Sequence, residues 1–245
     1  MTAPLPFPFP LSQADVLRRR ARILTALCAL DDGFARMPAR TLQDETLQTM
    51  LHLYDVGFFG GLLSRTYGEL SVTLSSRLTS SAGKFIYSRA PSRRLRSAEI
   101  RMSSDFLFRL DRGPFLLNGL SVATPQEAFL VVFEHELCHA AETALYGGTG
   151  HSARFLELAG GLFGHTGTRH SLPTRREDAA KTGLTVGSAV RFQKEGKTVR
   201  GLLTYVGKTA TVMVRDPRGP YRDRAGRRYA KYRVAVSALE RDAQD

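Results

Sequence analysis

Cysteine is almost missing from this chain: Cys28 and Cys138 are the only two in 245 residues, and no CxxC pair occurs. A zinc ribbon is thereby excluded and at most one disulfide can form, which fits a reducing, cytoplasmic setting. Long apolar runs are missing too. No segment reaches the ~18 residues of a membrane span, so no membrane partner is expected. The amino terminus, MTAPLPFPFPLS, lacks a basic region followed by a continuous apolar core. It reads as an extended, proline-stiffened lead-in and not as a secretory signal. Acidic residues are in short supply, 23 against 35 Lys and Arg, and the shortage is local. Residues 169–245 hold 18 Lys/Arg against 8 Asp/Glu, a net +10, whereas residues 1–168 hold 17 against 15. A basic appendage on a nearly neutral body is the charge pattern of a nucleic-acid-binding module. A surface kept charged for solubility is the plainer alternative.

What is present is organised around Phe133-Glu134-His135-Glu136-Leu137-Cys138-His139-Ala140. Residues four apart share a helix face, so His135 and His139 can offer two imidazoles to one metal ion with Glu136 alongside. Thr124-Pro125-Gln126-Glu127 supplies a capping box with proline at N1, and Gly147-Gly148 ends the run. The expected helix, about Pro125 to Tyr146, is apolar nearly all round and should be buried. Three polar residues there need partners, and a metal ion would supply one.

A catalytic zinc ion takes three protein ligands and leaves one position open. Candidates for the third are His151, Glu157, His165 and His170. His151 follows a glycine-rich turn that lets the chain reverse and is the preferred choice. Glu157, eighteen residues past His139, is the runner-up, and His165 and His170 fall in a linker-like tail. Glu136 is placed to act as general base. Glu142, near the same face, can orient a ligand histidine from behind or form a surface pair. Cys138 reads as packing.

Elsewhere, Ser12-Gln13-Ala14-Asp15 opens a helix running to about Leu30, with Leu17, Ala21, Leu24 and Cys28 on its apolar stripe. Its Arg18, Arg19, Arg20 and Arg22 read as a solvated face, with phosphate contact the alternative. Thr41-Leu42-Gln43-Asp44 opens a second helix that stops at Gly60-Gly61, and His52 falls on its polar side. Residues 70–74, 84–87 and 99–102 have strand character and suggest a small sheet. Arg89, Arg93, Arg94, Arg96 and Arg101 lie in and beside its turns and read as a hydrophilic loop, with a groove for an acidic ligand the alternative. Residues 152–163 form a further helix with Phe155, Ala159 and Leu162 inward.

Residues 169–181 have the composition of a linker, placing one domain at 1–168 and another at 182–245. The second alternates apolar and polar residues over 189–192, 198–206, 209–214 and 229–236, the pattern of a small SH3-like barrel. Its segment 215–229 is arginine-rich with interleaved tyrosines. Arg215, Arg218, Arg222, Arg224, Arg227, Arg228 and Lys231 are the candidate nucleic-acid contacts, with a mobile solvated loop the plainer alternative.

His135-Glu136-Leu137-Cys138-His139-Ala140 followed by Gly150-His151 and Phe155 resembles the SprT-like metallopeptidases. So do Tyr54-Asp55-Val56-Gly57-Phe58-Phe59-Gly60-Gly61-Leu62 and Ser81-Ala82-Gly83-Lys84. The resemblance spans roughly residues 40–165. It implies an α+β, zincin-like fold with His135, His139 and His151 on one zinc ion and Glu136 as the catalytic residue. Spartan-type members cut proteins crosslinked to DNA, so DNA and protein substrates are the implied partners. Many relatives carry a cysteine-rich zinc ribbon at the carboxyl terminus, and here a basic module stands in its place. Two other classes compete: a nucleic-acid-binding, transcription-associated protein with a structural metal site, and a metal-dependent endoribonuclease using three histidines.

Overall fold

The computed structural model describes residues 5–38, 41–79, 81–90, 95–110, 113–169, 172 and 175–242. His170, Arg93 and Arg94 lie outside them. The chain divides into two compact units, residues 1–172 and 173–245. Among the described residues no helix is long and apolar enough to cross a membrane.

The first unit opens with α1 (Gln13–Leu30), whose N-cap Ser12 accepts from Asp15 N as the sequence leads one to expect. A short α2 (Asp32–Ala35) and α3 (Asp44–Phe59) follow. The cap of α3 differs from expectation: Gln43, not Thr41, holds the N-cap position, and it makes no side-chain cap bond. Asp31 substitutes for it from a distance. Its carboxylate accepts from Gly33 N (2.7 Å) and Phe34 N (3.3 Å) at the start of α2. It also accepts from Gln43 N (3.0 Å) and Thr46 Oγ1 (2.8 Å) at the start of α3. Gly60 and Gly61, at φ 57° and 78°, then turn the chain through the left-handed region that a side chain resists. Asp55 reaches forward to accept from Leu63 N and Ser64 N, both at 2.9 Å, and so caps α4 (Leu62–Thr66). The Tyr54 to Leu62 motif is therefore a helix-turn-helix device built by one carboxylate and two glycines.

Three strands, β1 (Glu69–Ser75), β2 (Gly83–Arg89) and β3 (Leu95–Ser103), form a sheet in the order β1-β3-β2, with β1 parallel and β2 antiparallel to β3. The central strand is the last in sequence, which leaves β2 on an edge. A one-turn α5 (Ser104–Leu107) and a hairpin of β4 (Phe115–Leu117) and β5 (Leu120–Val122) lead into α6 (Pro125–Tyr146). The capping box of Thr124 and Glu127 is present, and Gly147 closes α6 in the left-handed conformation. Next, α7 (Ala153–Phe163) starts at Ser152, whose hydroxyl accepts from Phe155 N.

The core explains why α6 is apolar on every side. Ala128 through Phe133 are all buried, as are Leu137, Cys138, Ala140 and Ala141, because α6 packs against α7, α4 and β2. Around it Tyr54, Phe58, Phe133 and Phe163 stack at centroid separations of 4.8–6.0 Å. Each such aromatic, fully withdrawn from water, contributes about 1.5–3 kcal/mol.

In the second unit α8 (Arg175–Lys181) falls within the span expected as a linker, and its Ala179 is buried in this unit's core. Six antiparallel strands follow: β6 (Ala189–Lys194), β7 (Lys197–Val206), β8 (Thr209–Arg215), β9 (Tyr221–Arg222), β10 (Arg228–Ala235) and β11 (Glu240–Arg241). They lie in the order β11-β6-β7-β8-β10-β9. The expected closed SH3-like barrel is not formed. The terminal strands of this order are two residues long, and among the described residues they do not pair with each other. Closure needs a continuous ladder between first and last strands. Here the chain between β8 and β10 is instead consumed by turns, with Asp216 accepting from Arg218 N and Asp223 from Ala225 N and Arg227 N. The expected hairpin at Lys194-Glu195-Gly196-Lys197 is present, with both central residues at positive φ, 51° and 74°.

Candidate metal centre

Helical spacing puts His135 and His139 on one face of α6, one turn apart. The glycine-rich turn after α6 brings His151 back over that face. The Nε2 atoms of His139 and His151 lie 3.2 and 3.0 Å from His135 Nε2. No other trio of His, Cys, Asp or Glu converges in this way among the described residues. Three imidazole nitrogens aimed at one point repel through their lone pairs unless a cation or proton sits between them. Zn–N bonds of about 2.0–2.1 Å in tetrahedral arrangement require N···N separations of about 3.3 Å, so the donor set fits a single divalent ion.

The turn carrying His151 is fixed by Glu142, a buried residue of α6. One oxygen accepts from Thr149 Oγ1 (2.9 Å) and Gly150 N (3.0 Å), and the other from Ser152 Oγ (2.6 Å). Burial pushes its pKa up, but these hydrogen bonds prevail and hold it below the usual carboxylate range. Thr149 Oγ1 also lies 2.6 Å from His139 Nδ1. Glu142 is thus linked to His139 through Thr149. Thr149, which sequence reasoning did not single out, stands between the Glu142 carboxylate and the His139 ring. Burial and the neighbouring His151 ring push His139 down to about 4, against the pull of Glu142. The imidazole is accordingly neutral at physiological pH, the form that ligates metals.

Glu136 projects into the same cleft. Burial raises its pKa to about 8, opposed by a hydrogen bond from Phe85 N–H on the edge strand β2. Room for it comes from Gly83: a Cβ there would stand 2.6 Å from Glu136 Oε1. The motif Ser81-Ala82-Gly83-Lys84 therefore acts as a cradle for the carboxylate. The cavity around these groups is about 310 Å³ and is lined by Ser81, Gly83, Lys84, Phe85, His135, Glu136, His139 and His151, among others.

The other candidates fall elsewhere. Glu157 is exposed on α7 and is not in the histidine cluster. His165, expected in a linker-like tail, is buried outside the histidine cluster, where its Nε2 meets Glu134 Oε2 at 3.1 Å. Glu134, fully buried, also accepts two bonds from Arg20 (2.8 and 2.7 Å) and one from Tyr54 Oη (2.8 Å). Burial raises the Glu134 pKa, yet Arg20 and His165 outweigh it and the net direction is down. This corrects the reading of the arginine cluster on α1: Arg20 is the ion-pair partner of a carboxylate inside the protein, while Arg19 bonds the carbonyl of Gly57. The signal available was Glu134 itself, an acid in a helix predicted to be buried. His52 is exposed, and Arg101 pairs with Glu99 on its own strand. Arg89 bonds the Gly147 carbonyl at the end of α6. In the second unit Arg215, Arg222, Arg228 and Lys231 lie on strands, and Arg218, Arg224 and Arg227 lie in turns.

A family model described as the SprT-like family matches residues 47–169. Neither the curated proteins nor the solved structures yield a match. The matched span covers half of the chain and takes in the three histidines, Glu136, the Gly83 cradle and the Glu142 clasp, and the chain belongs to the SprT-like family.

Proposed function

We propose that the chain is a zinc-dependent endopeptidase that acts on DNA-associated or DNA-crosslinked proteins. The observation that carries this reading is the convergence of three histidine Nε2 atoms in a cleft that also holds the buried carboxyl of Glu136. His135, His139 and His151 would hold the ion, and zinc bound there supplies Lewis acidity and a site for water. Glu136 takes the proton of the attacking water and delivers it to the leaving amine. Phe85 N–H and the Gly83 cradle keep that carboxyl aimed into the cleft. A nearby cation lowers a carboxyl pKa, which offsets the effect of burial and leaves Glu136 able to accept a proton at neutral pH. The edge strand β2 borders the cavity, and an extended peptide can add alongside such an edge.

A purely structural metal site would be closed by a fourth protein ligand. Among the described residues His, Cys, Asp and Glu supply three, and a carboxylate adjacent to them serves peptide hydrolysis better than RNA cleavage by histidines alone. The DNA part of the reading rests on the net +10 of residues 169–245. It is tested by incubating the zinc-loaded protein with a DNA-binding protein substrate, with and without DNA, and with RNA. Cleavage of the protein, enhanced by DNA, is expected; cleavage of RNA alone would support the ribonuclease reading instead.

A further inference from the structure

The sheet of the second unit has two unlike faces. One is covered: Val190, Phe192, Leu203, Ala210 and Val212 are buried with Ala179 of α8 and with Leu239. Strand alternation sends the intervening residues to the other face. There the cross-strand register aligns Leu202, Met213 and Lys231 in one row, Tyr205, Thr211 and Arg233 in a second, and Arg215, Tyr229 and Tyr221 in a third. This face keeps large side chains in water, with Tyr205 60% exposed, Leu202 47% and Tyr221 46%. Exposed apolar and aromatic side chains gathered on one face mark an interaction site, and flat apolar ligand surfaces suit tyrosine rings.

Charge on this face is divided. At the β6–β11 end, Arg191 pairs with Glu240 (2.7 Å) and Arg200 with Asp242 (3.1 Å). Toward β8, β10 and β9, Arg215, Lys231 and Arg233 have no carboxylate partner among the described residues. Asp223, the nearby acid, is taken by Arg227 (2.7 Å) and by Tyr229 Oη (3.1 Å). Lys231 Nζ sits 5.9 Å from the Tyr221 ring centroid, so a cation and a stacking surface are presented together.

We propose that this open face binds single-stranded nucleic acid, with Tyr205 and Tyr221 stacking on unpaired bases and Lys231, Arg233 and Arg215 neutralising the phosphates. In a duplex the faces of the bases are already stacked on one another, so exposed rings gain little there, whereas a single strand offers each base to a tyrosine. Four strands from β7 to β9 span about 14 Å at about 4.8 Å per step, a footprint of a few nucleotides. This rests on and deepens the DNA-directed part of the proposed function, and it places the contact on strand residues instead of the turn arginines Arg218, Arg224 and Arg227.

The test uses the full-length protein and fluorescence anisotropy with a labelled 20-nucleotide oligothymidine, a 20-base-pair duplex, and a salt series. Tyr205→Ala and Tyr221→Ala are each expected to weaken oligothymidine binding roughly 5- to 100-fold with little change in salt slope, because stacking releases no counterions. Tyr205→Phe and Tyr221→Phe keep the ring and should restore most of the affinity, which separates stacking from misfolding. Replacing Lys231 and Arg233 together by alanine should flatten the slope by about 1.4, from about 0.7 per phosphate contact. Unchanged affinity in all these variants, with loss in an Arg218→Ala, Arg224→Ala protein, would overturn the sheet-face proposal and leave DNA targeting standing. Equal or tighter duplex binding that ignores the tyrosines would also overturn it. A wild-type protein that binds neither oligonucleotide sinks both the inference and the DNA-directed reading.

Discussion

Glu142 holds Thr149 by a 2.9 Å hydrogen bond, and the same threonine oxygen stands 2.6 Å from His139 Nδ1. One carboxylate on α6 thus secures the turn that carries His151 and, through Thr149, the ring of His139. Replacing Glu142 by alanine should lower zinc affinity about 10- to 100-fold, the usual effect of removing a group that orients a metal ligand. Competition against a chromophoric chelator measures it, and unaltered affinity would contradict the orienting role.

Gly83 is confined by Glu136. Because a methyl group there would stand 2.6 Å from Glu136 Oε1, Gly83→Ala should displace the carboxyl. Misplacement of a reacting group by about 1 Å costs on the order of 100-fold in rate. Peptidase activity should fall by about that factor while zinc content and far-UV circular dichroism stay as in the wild type. Wild-type activity in this variant would mean that Glu136 is not the proton carrier.

Arg20→Met leaves the buried Glu134 carboxylate with Tyr54 and His165 alone. Removing one partner of a buried pair typically costs about 3–5 kcal/mol, so the first unit should unfold at markedly lower denaturant. Arg20→Met combined with Glu134→Gln should recover part of the loss, because the uncompensated charge is gone. A cost under about 1 kcal/mol for the single variant would contradict the buried-pair assignment.

Asp31 ties the end of α1 to the starts of α2 and α3. Burial pushes its pKa up, but the bonds from Gln43, Thr46, Gly33 and Phe34 prevail and the net direction is down. A carboxyl with a lowered folded-state pKa stabilises fully above its unfolded value, about 3.9. That contribution fades as pH falls through the folded-state value. Comparing the wild type with Asp31→Asn by chemical unfolding should therefore show a steady gap of about 1–3 kcal/mol from pH 6 to 8. The gap should narrow below about pH 4. A gap that widens on acidification would contradict the argument.

The centre was legible in sequence because its signals are local. His135, Glu136 and His139 share a helix whose capping box and glycine stop are both in the chain, and His151 follows the turn that reverses it. What was not legible depends on contacts between residues far apart. Arg20 and Glu134 are 114 positions apart, and nothing near Arg20 separates a buried guanidinium from the solvated arginines beside it. His165 looked like linker because glycines and charges surround it, yet a single buried acid fixes its place. The strands of the second unit were readable from alternation, but barrel closure depends on edge pairing, which alternation does not encode. The two-residue β9, set among the turns between β8 and β10, and the two-residue β11 are too short for alternation to mark.

Peptide cleavage by Glu136→Gln, measured beside its zinc content, tests directly whether Glu136 carries the proton. One zinc per chain is expected, as in the wild type, with cleavage reduced to background. Cleavage at the wild-type rate with zinc bound would contradict the mechanism, since the proton would then be moving through some other group.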